Sequence, residues 1–126
     1  MAAPMLRRFV FYWAPPILWA AGIFGLSSIS LPPKPPLIPG LDKIAHAGLY
    51  AVLSYLLFRA LLQERGLRPW RAAAWAFLLT ALYGVTDEFH QRFTPNRSVD
   101  VVDWLADALG ALSAFVAARL SRPRSD

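Results

Sequence analysis

Four apolar stretches, at 9–29, 44–62, 72–89 and 101–120, take up most of a 126-residue chain. Each approaches the roughly 20 residues that a helix needs to cross the hydrocarbon core of a bilayer, where about 17 to 25 are seen. The second is the cleanest. The third and fourth reach full length only if their charged ends are counted, so those ends must face protein or an aqueous pocket. With 56% hydrophobic residues the chain is too apolar for an ordinary soluble domain of this size. The expected fold is all-α: an integral membrane four-helix bundle, one domain over 1–126, with helices at about 9–29, 43–62, 71–90 and 99–120.

The charges fit that frame. A net charge of +5 raises the question of nucleic acid, but the basic residues sit between and beside the apolar segments and form no single face. Nine of them (Arg7, Arg8, Arg59, Arg65, Arg68, Arg71, Arg119, Arg122, Arg124) fall on one side of a four-span topology. Lys34, Lys43, Arg92 and Arg97 fall on the other. The positive-inside rule then puts both termini in the cytoplasm. Six of the eight acids, Asp42, Asp87, Glu88, Asp100, Asp103 and Asp107, gather at the outer face; only Glu64 and Asp126 do not. The absence of cysteine removes disulfides and thiolate metal sites, leaving His, Asp and Glu as ligands.

Taken in order, Arg7-Arg8 followed by an apolar run reads as an uncleaved first helix, because the run outlasts a signal peptide's apolar region and three more segments follow. Pro15-Pro16 should kink it. Leu31 to Gly40 holds five prolines and is expected to be an extended spacer. Asp42 stands where it can cap the second helix, with His46 and Tyr50 following at spacing four on one face, so that Tyr50 is placed to hydrogen-bond His46. Gln63 to Trp70 is a short basic loop. Ala72, Ala76, Thr80 and Gly84 form a small-residue ladder, as do Ala106, Gly110, Ala114 and Ala118, and such ladders let membrane helices pack tightly. Arg122 to Asp126 is expected to be a frayed tail.

The polar stretch from Asp87 to Asp107 carries the chemistry. Asp87 and Glu88 end the third helix, where the helix dipole disfavours acids, so they need Lys43, Arg92, Arg97, a protonated His46 or a cation. Ser98 can cap the fourth helix, on which Asp100, Asp103 and Asp107 descend one face; Asp107 lies about 10 Å deeper than Asp100. Six acids face three bases here. Either some carboxyls hold protons or a cation completes the site. Three readings stand side by side: a divalent metal held by His46 with Asp87, Glu88 and Asp103, a set that suits zinc or manganese; a buried polar network that fixes helix register; and recognition of a polar or phosphorylated headgroup by Lys43, Arg92 and Arg97. His90 reads as an interfacial residue.

The ordered set of residues resembles the VanZ-like family of small bacterial membrane proteins. Asp42-Lys43 with His46 and Tyr50, then Asp87-Glu88 with Gln91, Phe93, Pro95 and Arg97, then Asp100, Asp103 and Gly110 carry the likeness. Trp19, Ile23-Phe24 and Leu26-Ser27-Ser28 add to it. Asn96 replaces the glycine that often precedes the family's arginine, and Asp107 stands at a position that is commonly Asn. The resemblance implies a four-helix protein of the bacterial cytoplasmic membrane; the founding member is associated with low-level resistance to the glycopeptide teicoplanin.

The functional expectation is a cell-envelope protein with a pocket open to the outer leaflet, built from Asp42, Lys43, His46, Tyr50, Asp87, Glu88, Gln91, Arg97, Asp100, Asp103 and Asp107. Its candidate ligands are a divalent cation, a lipid-linked cell-wall precursor or a lipoglycopeptide. An intramembrane metal- or carboxylate-dependent hydrolase or transferase is the first alternative, although the chain has no nucleophile elbow and no two-histidine metal motif. A structural assembly module is the second.

Overall fold

The computed structural model describes residues 2–28, 41–93 and 101–121, leaving aside the side chains of Leu41 and Asp42. The helices are α1 (Ala2–Ser27), α2 (Leu41–Gln63), α3 (Pro69–Gln91), α4 (Val101–Ala111) and α5 (Ser113–Leu120), the last two running on as one span. No strand occurs among the described residues. The proline-rich spacer, Ser98, Asn96 and the tail after Ser121 lie outside them.

Ala2–Ser27, Lys43–Gln63 and Val101–Leu120 are long and apolar enough to cross a membrane. The expectation of four spans therefore holds by composition for three. α3, at 23 residues, has the length, but Arg71, Asp87 and Glu88 reduce its apolar character. The polar residues responsible are turned inward. On α3 the buried stripe is Ala72, Ala73, Ala76, Thr80, Gly84, Asp87, Glu88 and Gln91, while Trp75, Leu78, Leu79, Leu82, Val85 and Phe89 are exposed. α4 and α5 repeat the pattern, with Ala106, Asp107, Gly110, Ala111, Ala114 and Ala118 buried and Leu105, Leu109, Leu112, Val116 and Leu120 exposed. Small and polar inside, large and apolar outside reverses the soluble pattern and belongs in a lipid solvent.

α2 is the central helix and touches every other one. Its approach to α4 is set by Gly110: a Cβ there would lie 2.2 Å from the Ala47 carbonyl oxygen and 2.9 Å from the Ala51 nitrogen. Only a residue without a side chain permits backbones this close. One turn further on, Ser54 Oγ donates to the Ala111 carbonyl at 2.7 Å and Ser113 Oγ to the Ala51 carbonyl at 3.1 Å. With Ser54 on Ala111, the Phe115 amide donates three residues back, to Leu112, at 3.0 Å. That tightened turn separates α4 from α5 where one unbroken helix is expected.

α1 continues as helix through Pro15 and Pro16. Pro15 cannot donate to the carbonyl four residues earlier, that of Phe11, and Arg59 of α2 supplies a donor to it at 3.3 Å. The guanidinium also lies 5.2 and 5.3 Å from the ring centres of Phe11 and Tyr12. Arg8 bonds the Gln63 carbonyl, and Trp13 Nε1 donates to Glu64 at 2.9 Å. The start of α1 thus meets the end of α2 at a basic end of the bundle. Beneath it lies the larger apolar core of Phe58, Leu61, Ala72, Ala73, Ala76, Ala114 and Ala118. The opposite end holds the acids.

Candidate functional site

At the acidic end three polar pairs radiate from the first turns of α2. Lys43 forms an ion pair with Asp103 of α4. His46 Nδ1 lies 2.9 Å from Asp107 Oδ1, also on α4. Tyr50 donates its hydroxyl proton to Asp87 Oδ2 of α3 at 3.0 Å. Tyr50 therefore does not bond His46 as their shared helix face suggests; its phenol turns to α3, where Asp87 is aimed inward.

Depth decides what these groups can do. Asp107 is completely buried, Asp87 is 3% exposed and Glu88 5%. Glu88 follows Gly84 by one turn on the inner stripe of α3. Gly84 in turn makes room for the carboxylate of α4: a Cβ there would come within 3.3 Å of Asp107 Oδ2. Among the described residues, Asp107 Oδ2 and Asp87 Oδ1 have no hydrogen-bond partner. A carboxylate oxygen withheld from water and left unpaired costs about 1–3 kcal/mol or more, so the arrangement favours a ligand or proton at those atoms.

His46, Glu88 and Asp107, from α2, α3 and α4, each offer a ligand atom within 4.8 Å of the others. Imidazole with two carboxylates is a donor set for zinc or manganese. This cluster includes Asp107, which the expected metal set of His46, Asp87, Glu88 and Asp103 does not hold; Asp87 accepts from Tyr50 and Asp103 pairs with Lys43. Beside it opens a recess of about 200 Å³ lined by Ile23, Leu26, Ser27, His46, Asp87 and Gln91 among others. Of the expected pocket residues, the structure gathers Lys43, His46, Tyr50, Asp87, Glu88, Gln91, Asp103 and Asp107 at this end. The backbone of Asp42 lies in the first turn of α2, its side chain outside the description; Arg97 and Asp100 lie outside the described residues.

α1 contributes more than the charge pattern foretells. Ser27 is buried and lines the recess. Ser28 Oγ lies 2.9 Å from His90 Nε2, and the His90 ring stacks on Phe24 with centres 4.4 Å apart. His90 thus joins α3 to the end of α1. The only sequence signal for these serines is the Leu26-Ser27-Ser28 pattern.

A family model described as VanZ/LLP1 matches residues 5–122. No curated protein and no solved structure matches the chain.

Proposed function

Since the chain belongs to the VanZ/LLP1 family, we propose that it is a multi-pass membrane protein of the bacterial cell envelope whose recess holds a divalent cation and, through it, the phosphate-bearing head of a lipid-linked cell-wall precursor. One observation carries this reading. His46, Glu88 and Asp107 converge from three helices to within 4.8 Å, and Asp107 is wholly buried with Oδ2 unpaired among the described residues. A cation there satisfies the oxygen and offsets the excess of acids, and it turns a recess that repels phosphate into one that attracts it.

The Lys and Arg distribution supports an outward-facing recess with both termini in the cytoplasm. At that position the protein meets envelope precursors in the outer leaflet, and changed access to such a precursor is a route to glycopeptide resistance of the teicoplanin type. The test is titration of the protein in nanodiscs with Mn²⁺. One saturable site per chain is expected, weakened tenfold or more in His46→Ala and in Glu88→Gln.

A second reading, that the cluster locks helix register and assembly, is favoured by the three pairs Lys43–Asp103, His46–Asp107 and Tyr50–Asp87, which tie α2 to both neighbours. It is distinguished by the absence of saturable Mn²⁺ binding in the wild type.

A further inference from the structure

A second cavity, about 490 Å³, runs along the seam between α1 and α2. It shares Ile23, Leu26 and Leu49 with the polar recess, so the two are contiguous. Away from the recess it is walled by Pro15, Leu18 and Leu56. From Leu26 back to Pro15 it follows about 16 Å of helix. Trp19, also in its wall, has its indole N–H taken up by the Leu49 carbonyl at 2.9 Å, which leaves an apolar ring toward the groove. The floor is low at Gly22, where a Cβ would meet nothing within 4 Å.

From this continuity we infer that the groove between α1 and α2 holds the hydrocarbon chain of the same molecule whose head enters the recess, so that the ligand is a long-chain lipid phosphate admitted sideways from the bilayer. The inference rests on the reading of the recess as a headgroup site. Bulk lipid places its head at the membrane surface, above the helix ends. Here the apolar wall leads into a polar chamber beside the deeply buried Asp87, which suits one amphiphile bent over the Ile23–Leu49 seam. The recess has Asp87 in its lining and shares His46 with the acidic cluster, so it takes an anionic head only with a cation beside it, whereas the apolar groove asks nothing of charge; the two halves are therefore separable by experiment.

The test uses the full chain in phosphatidylcholine nanodiscs containing Mn²⁺, a long-chain alkyl phosphate carrying a diazirine in its chain, and mapping of the crosslinks. Label is expected to concentrate on Leu18, Trp19 and Leu56 and to fall at least tenfold in Gly22→Phe, with the milder plug Gly22→Leu falling between. The matching alkyl alcohol should label the groove far less. Label spread over the outward residues Leu78 and Leu82, equal labelling by the alcohol, or wild-type labelling in both plugged variants overturns the inference. Mn²⁺ titration of the same samples keeps the claims apart. Unchanged Mn²⁺ binding in Gly22→Phe shows that its fold and cation site are intact. Groove labelling without any Mn²⁺ binding retires the cation and keeps the groove, and Mn²⁺ binding with diffuse label does the reverse.

Discussion

His46 on α2 and Asp107 on α4 meet through Nδ1 and Oδ1 at 2.9 Å, at a depth where Asp107 has no contact with solvent. The pair joins α2 and α4 near their close approach at Gly110, and it leaves the second carboxylate oxygen facing Gly84, without a partner among the described residues.

Removing one side of that pair strands the other. His46→Ala is expected to cost about 3 kcal/mol of stability, the scale for leaving a buried charge unpaired. Asp107→Asn, which keeps an acceptor and discards the charge, should stay within about 1 kcal/mol of wild type. Denaturant unfolding in detergent reads both; a His46→Ala protein as stable as wild type contradicts the assignment.

Two glycines make opposite forecasts. Gly110→Ala sets a methyl 2.2 Å from the Ala47 carbonyl, and backbone must move. A loss of about 3 kcal/mol, the upper end of overpacking costs, is expected. Gly22→Ala meets open space and should be neutral or stabilising by up to about 1 kcal/mol. Thermal melts of the two proteins side by side check the contrast.

The fold class was legible because apolar length and small-residue spacing are local properties. Ala72, Ala76, Thr80 and Gly84 sit on the buried stripe that their spacing implies, as do Ala106, Gly110, Ala114 and Ala118. The concentration of acids at one end was legible for the same reason. The pairing was not. Spacing along α2 placed Tyr50 with His46, yet neighbours on one helix face both project outward to other helices, and which atoms they meet depends on how α2 and α4 are phased by their contact at Gly110. Asp107, rather than Asp87 or Asp103, completes the histidine cluster because Gly84 opens space for it, a relation between helices that no single segment encodes.

Ser54 holds the Ala111 carbonyl. Ser54→Ala should cost about 1 kcal/mol and let the turn at Leu112 relax toward regular helix. Amide exchange at Phe115 is the sensitive readout: an altered protection factor is expected, and an unchanged one contradicts the role given to Ser54.

Because the chain has no cysteine, single-cysteine variants report topology cleanly. Phe93, 73% exposed, lies at the acidic end, and Arg65 is exposed at the basic end. In intact cells a membrane-impermeant maleimide should modify Phe93→Cys and spare Arg65→Cys until the membrane is opened. The reverse pattern turns the recess toward the cytoplasm.

The proposed function places one cation among His46, Glu88 and Asp107. Electron spin echo modulation of Mn²⁺ bound to the protein in nanodiscs tests it at the level of ligands. Coupling to an imidazole nitrogen is expected in the wild type and should disappear in His46→Gln. A spectrum without nitrogen, or one that keeps its nitrogen when His46 is gone, contradicts it.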